Sequence, residues 1–332
     1  LNRDVADFVC SATGAERVLK VDLVQSLWSG YGQIARVQLA GLPIRSAIVK
    51  QVSPPDQTNH PRGWNSDQSH RRKLRSYEVE LAWYRDFSER CGSYCRVPKC
   101  YATRSLKGQS LFVLEDLDAA GFPRRQSSLR RNGVETGLRY LANFHATFLG
   151  QPPKGLWPIG TYWHLATRPD EWQAMQPGEL KTHAAAIDTI LNQCRYKTIV
   201  HGDAKVANFC FSEDLQQIAA VDFQYVGGGC GMKDVAYFLG SCLDESECQR
   251  GESTFLETYF SEFRKALKRT GSTESAGNIE REWRELYPVA WADFTRFMLG
   301  WCPEHGKLNA YSRRLSRSVT NELESIDGDT TF

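Results

Sequence analysis

The sequence predicts an α+β chain in two parts: a small β-rich lobe over residues 1–115 and a larger, mostly helical lobe over residues 116–332. Three observations carry this expectation. The first third holds short apolar runs broken by glycine and proline, as strands are. The remainder is dominated by apolar stripes that repeat every three or four residues, as helix faces do. Between the two, strand-like SLFVLEDL (residues 110–117) gives way to DAAGFPRR, a turn-like segment containing Gly121 and Pro123. A length of 332 residues suits two lobes and can bury a core without disulfides or metals.

Taken in order, SLWSGYGQIARVQL (residues 26–39) places two apolar stretches around a glycine turn, a hairpin pattern. PIRSAIVKQV (43–52) reads as a third strand, β-branched around a single lysine. Residues 53–69 are loop chemistry: Pro, Asp, Asn, His, Gly and Ser. From Arg71 a helix is predicted, with Leu74, Tyr77, Leu81 and Tyr84 at helical spacing. Past the boundary, three more helices are expected. One carries Val134, Leu138, Leu141, His145 and Phe148; a second carries Phe255, Tyr259, Phe263 and Leu267 and ends at Gly271; a third carries Tyr311, Leu315, Val319, Leu323 and Ile326. The ordinary reading of each stripe is a face buried in a core. One exception interrupts the helical region: NFCF (208–211) and IAAVDF (218–223), joined by the polar SEDLQQ, form a predicted hairpin. Antiparallel pairing would bring Asn208 and Asp222 to the same end of it.

Composition narrows the partners. A net charge of +2 gives no reason to expect nucleic acid or an anionic membrane. Ten cysteines are scattered, mostly in apolar segments, and the Cys91, Cys95, Cys100 group lacks zinc-site spacing. Reduced thiols, no signal-peptide pattern and no apolar run of membrane-spanning length together point to the cytoplasm.

The chemistry concentrates in VHGDAKVANFCF (200–211). A carboxylate, Asp203, stands five residues before Asn208, and the hairpin delivers a second carboxylate, Asp222. Hard oxygen donors of this kind suit Mg2+, which takes one or two carboxylates plus substrate phosphates. Asn208 and Asp222 would be its ligands. Asp203 is left to accept a proton from an attacking hydroxyl. Lys205, two residues on, places a positive charge on the same side of an extended loop, where it would offset charge on a phosphoryl group.

This pattern resembles the catalytic loop of the kinase fold, here H-G-D-A-K-V-A-N followed by D-F-Q. Glycine after the histidine is the form found in the aminoglycoside phosphotransferase and choline kinase superfamily. The segments HPRGWN, RRKLRSYEVELAWY, LEDLDAAGFPRR and HGDAKVANF look most like its bacterial ecdysteroid-kinase-like branch, most members of which have no assigned acceptor. The resemblance spans residue 29 to about residue 239 and implies a two-lobed protein-kinase-like fold, with five strands and one helix in the first lobe. It also implies a set of ATP-binding residues. SGYGQIARV fits G-x-G-x-x-A-x-V, so Gly30 and Gly32 would let backbone amides approach phosphates and Val37 would pack on the adenine. Lys50 in AIVK would grip the α- and β-phosphates, paired with Glu80 in ELAWY, with Glu78 as the fallback. VLEDL would be the hinge, Glu115 and Leu117 offering backbone groups to the adenine edge. Asp234 in KDVAYFL would brace the catalytic loop, and His201 would hold it through hydrogen bonds rather than bind metal.

The implied reaction is transfer of the ATP γ-phosphoryl group to a hydroxyl of a small molecule. A protein kinase is a weaker reading, because no A-P-E segment is present and QYVGGGCG leaves little room for an activation segment. A metallohydrolase built on His201, Asp203, Asp222 and Asp234 would leave Lys50, Glu80 and the glycine turn unexplained. A non-catalytic nucleotide-binding module would not need the full catalytic set. The acceptor itself stays open: Trp157, Trp163, Trp172, Trp283, Trp291 and Trp301 could wall a quaternary ammonium or a flat apolar alcohol, or could simply be core. Oligomeric state cannot be read from these residues.

Overall fold

β-Branched residues spaced for a pleat fold the N-terminal region into a five-stranded antiparallel sheet of order β1-β2-β3-β5-β4. The strands are β1 (Arg17–Ser26), β2 (Gly32–Ala40), β3 (Ser46–Val52), β4 (Cys100–Leu106) and β5 (Gln109–Glu115). The computed structural model describes residues 1–27, 30–41, 44–54, 67–106 and 108–329. Most of the expected loop at 53–69, with HPRGWN inside it, therefore lies outside the described residues, as does Ile326's side chain.

The described chain forms two compact units. The first comprises Leu1–Gly92, Arg96–Arg124 and Cys210–Gln224; the second comprises Ser93–Cys95, Arg125–Phe209 and Tyr225–Phe332. In the first unit, helix α1 (Arg3–Thr13) is capped by Asn2, whose Oδ1 accepts the Val5 amide, and ends at left-handed Gly14. It packs Val5 and Val9 onto one sheet face with Val37, Leu39, Ala47, Val49, Leu111 and Val113. The sequence reading did not include α1. It also placed the first strand too late: β1 precedes the glycine turn, and most of its side chains are exposed. An outer strand with exposed residues on both faces shows little of the alternation that marks a strand. Helix α2 (Asp67–Asp86) carries Tyr77, Trp83 and Tyr84 into the unit's interior.

The predicted hairpin is present as β7 (Phe209–Phe211) paired with β8 (Ile218–Ala220). Cys210–Gln224 joins the first unit through reciprocal Arg124–Phe211 backbone bonds, an Arg96–Ala219 bridge, and a cluster of Leu117, Phe122, Cys210 and Ala219. Phe223 stacks on Trp83 at 4.4 Å.

The second unit is helical: α3 (Arg131–Thr147), α4 (Pro169–Ala174), α5 (Glu179–Thr182), α6 (Ala184–Asn192), α7 (Met232–Cys242), α8 (Glu245–Thr270), α9 (Ala276–Trp301) and α10 (Ala310–Asp329). Asp244 and Glu247 form a capping box at the start of α8, and left-handed Gly271 closes it as expected. A short antiparallel pair, β6 (Thr198–Val200) with β9 (Gly227–Gly229), leads into the HGD segment. Trp163, Trp283 and Trp291 are core, Trp157 and Trp301 are partly buried, and Trp172 is exposed. Among the described residues no helix is long and apolar enough to cross a membrane.

Candidate active site

In the first unit, Lys50 lies on β3, the central strand, paired across to Ile34 on β2 and Phe112 on β5. Its Nζ donates to both carboxylate oxygens of Glu80 on α2, at 2.6 and 2.9 Å. Neither side chain is more than 6% exposed. Burial pushes the Glu80 carboxyl above its usual range, Lys50 pulls it back, and nearby Asp222 pushes it up again. Lys50, Glu80 and Asp222 thus share one electrostatic neighbourhood. The fallback, Glu78, is exposed and pairs with Arg75.

Asp222 follows β8 with φ +68°, a left-handed conformation costly for a residue with a Cβ and common at functional sites. Its neighbours hold it there: Phe223 against Trp83, and Gln224 accepting from Lys73 at 2.9 Å and from Ser76 at 3.3 Å. The glycine turn is closed by Gly30 N–H to Leu27 O and Leu27 N–H to Gly32 O. Gly32 has φ +138°, and a Cβ there would overlap the Gln51 carbonyl.

In the second unit, the loop from His201 to Asn208 is organised from below by Asp234. Its two carboxylate oxygens accept the amides of His201 (2.6 Å) and Gly202 (2.9 Å). Asp234 is fully buried and also meets His145 Nε2 at 3.1 Å, while His145 Nδ1 meets the Tyr259 hydroxyl at 2.7 Å. Gly202 takes φ +78° directly against the Tyr225 carbonyl, where a Cβ could not fit. Asp203 N–H donates to His201 Nδ1, so that nitrogen is an acceptor and the histidine is a brace. Lys205 Nζ donates to Asp203 Oδ2 at 3.0 Å, and Asn208 Nδ2 to the same oxygen at 2.9 Å and to the Asp203 carbonyl at 2.8 Å. Asp203, Lys205 and Asn208 are therefore brought together, with Asp203 nearly buried and Lys205 partly exposed.

The donors expected for a divalent cation fit it in kind. Asn208, in the second unit, spends its amide nitrogen on Asp203 and keeps Oδ1 as an oxygen donor; Asp222, in the first, carries a partly exposed carboxylate.

The sequence matches the ecdysteroid kinase-like family over residues 44–149 and 166–272. The chain belongs to that family. No curated protein matches it significantly. Among solved structures it is similar to choline kinase from Cryptosporidium parvum Iowa II, at 12% identity and TM-score 0.52 over 94% of this chain and 91% of that one. It is also similar to a microcompartment-associated aminopropanol kinase, at 14% identity and TM-score 0.50 over 98% and 99%. These likenesses are of fold: this ecdysteroid kinase-like chain has the two-lobed, protein-kinase-like α+β architecture.

One feature of this family member differs from the sequence reading. Val37 does not share the Lys50 face. Its register partner is Ala47, and alternation turns it to the opposite face, into the core beneath α1. On its own face Lys50 is flanked by Ile48 and Val52 along β3 and by Ile34 across on β2. At the expected hinge, the Glu115 carboxylate is held by Arg96 and by the Lys99 amide, its own amide bonds Lys99 O, and the Leu117 carbonyl accepts from Phe122.

Several residues escaped sequence reasoning. Ser241 on α7 accepts the Val206 amide at 2.8 Å, fixing the far end of the catalytic loop. Tyr162 donates its backbone N–H to Gly202 O, and its hydroxyl meets that of Tyr237 at 3.2 Å. Tyr237 also lies close enough to Asp203 for that carboxylate to add to the burial that holds its hydroxyl neutral. The only sequence signal for His145 was its place in an otherwise apolar stripe; Ser241, Tyr162 and Tyr237 had none.

Proposed function

We propose that the chain is a small-molecule kinase that transfers the γ-phosphoryl group of ATP to a hydroxyl of its acceptor. The observation that carries this reading is the Asp203–Lys205–Asn208 cluster, held on a loop whose amides are fastened to buried Asp234. Membership of the ecdysteroid kinase-like family supports it, as do the names of the structurally similar choline and aminopropanol kinases.

In this reading Asp203 orients the acceptor hydroxyl and takes its proton as the oxygen bonds to the γ-phosphorus, and the β–γ bridging oxygen leaves with ADP. Lys205 offsets charge on the phosphoryl group in transfer. Lys50, held by Glu80, grips the α- and β-phosphates, beside the glycine turn of Gly30 and Gly32; backbone groups at Glu115 and Leu117 remain the candidates for the adenine edge. Asn208 and Asp222 would hold Mg2+, which when bound draws the phosphate oxygens together and neutralises their charge.

The test is ATP consumption against hydroxylated acceptors: sterols, choline, aminoglycosides, macrolides and sugars. The wild type should turn over with one of these classes. Asp203→Asn should lose at least a hundredfold in kcat while nucleotide affinity stays within about threefold. Undiminished turnover in Asp203→Asn removes the assigned base. Nucleotide binding without turnover across the screen favours a non-catalytic module.

A further inference from the structure

A cavity of about 200 Å³ opens among the C-terminal end of α7, the start of α8, the middle of α9 and residues 306–312. None of its lining residues belongs to the phosphoryl-transfer set. Trp291, Phe294 and Met298 contribute apolar side chains to the lining, and Lys307 contributes the only basic one. The Lys307 backbone is pinned: its amide donates to His305 Nδ1 at 3.2 Å and its carbonyl accepts from Ser312 Oγ at 2.7 Å.

Lys307 is half-buried in this lining. Among the described residues no carboxylate forms an ion pair with it. Its titratable neighbours include the thiols of Cys242 and Cys248, which burial holds in the neutral form, and His305. Two acids also line the cavity, each hydrogen-bonded at a helix start. Asp244 Oδ1 accepts from the Glu247 amide and the Ser246 hydroxyl, and Glu245 Oε2 accepts from the Ala310 amide. Burial accordingly draws the Lys307 amine down to about 8. A desolvated cation without an anion costs free energy that an incoming anion would recover.

We propose that this cavity is a binding site for a small organic carboxylate with an aromatic or branched apolar body, the anion on Lys307 and the body against Trp291, Phe294 and Met298. The size is apt: a cavity of roughly 150 Å³ holds benzene, and this one leaves room for a carboxylate beside the ring. Gly240, also in the lining, precedes Ser241, whose hydroxyl fastens the catalytic loop, so an occupant touches the helix that supports the phosphoryl-transfer site.

The test uses the intact chain without nucleotide, so it is independent of the kinase reading. Benzoate and its neutral isostere benzamide are titrated by calorimetry and ligand-observed NMR into the wild type, Lys307→Met and Lys307→Arg. A charge-assisted bond predicts a preference for benzoate of roughly tenfold or more in the wild type. Lys307→Met should bring benzoate to the level of benzamide, and Lys307→Arg should retain most of the preference. In 13C-lysine-labelled wild type, the Lys307 signal, assigned by its loss in Lys307→Met, should titrate at higher pH on adding benzoate. The proposal is overturned by equal binding of the two probes, by no binding at millimolar concentration, by unchanged benzoate affinity in Lys307→Met, or by a lysine titration that benzoate leaves in place.

Discussion

Replacing Lys50 with methionine isolates the energetics of one fully buried ion pair. The substitution keeps the aliphatic stem between Tyr77 and Phe112, whose rings lie 5.7 and 5.9 Å from Nζ, and removes only the charge. Glu80 would then hold an uncompensated carboxylate at 1% exposure. Breaking a buried pair from one side costs about 3–5 kcal/mol, whereas replacing both partners with apolar groups is close to neutral. Lys50→Met should therefore lower the melting temperature by roughly 10 °C at pH 8. The double variant Lys50→Met with Glu80→Leu should recover most of that loss.

The pH dependence follows from the direction of the Glu80 shift. Burial already raises this carboxyl above its unfolded value, and Lys50 opposes the rise. Without Lys50 the folded-state value climbs further, so the native state binds a proton that the unfolded state does not. The deficit relative to wild type should be full at high pH and shrink as pH falls through the raised folded value toward the unfolded one. Differential scanning fluorimetry between pH 5 and 8 measures it. A loss below about 1 kcal/mol, or one of equal size at both ends of the range, would refute the reasoning.

Three further outcomes are expected. Asp234→Asn should cost about 1–3 kcal/mol in chemical denaturation, because one face of the new amide turns a donor toward the His201 or Gly202 N–H. Gly202→Ala should express poorly or melt well below wild type, since its φ of +78° and the Tyr225 carbonyl leave no place for a Cβ; wild-type stability would show that the turn can rearrange. Phe223→Ala should cost about 3–5 kcal/mol by urea unfolding, through loss of the stack on Trp83 and the edge contact with Tyr84 at 6.1 Å.

Much of this site was legible because its chemistry is local in sequence. HGDAKVAN places Asp203, Lys205 and Asn208 within six residues, and their mutual hydrogen bonds follow from that spacing. Lys50 was legible for a different reason: a lysine in a β-branched strand must find an anion if buried, and an acid on the next helix supplies one. Val37 was misread because strand facing has period two, so a placement wrong by one residue exchanges a ligand-facing side chain for a core one. Strand β1 was misplaced because its exposed residues blur the alternation, whereas helix α1 carries a legible stripe of Val5, Phe8, Val9 and Ala12 that the reading passed over. The Asp234 bonds to the His201 and Gly202 amides and the Ser241 cap on Val206 join segments more than thirty residues apart, which no periodicity encodes.

The first unit is discontinuous in the chain, and this bears on how the protein can be made and cut. When a ribosome has synthesised residue 124, the sheet is complete, but Leu117 and Phe122 still lack Cys210 and Ala219, and Trp83 still lacks Phe223. Those partners arrive only after the 85-residue excursion from Arg125 to Phe209. Closing a loop of that length costs on the order of 4 kcal/mol of chain entropy. A recombinant fragment ending at Arg124 would thus expose an unfinished apolar seam, and the nascent chain carries the same seam until residue 224 has left the exit tunnel.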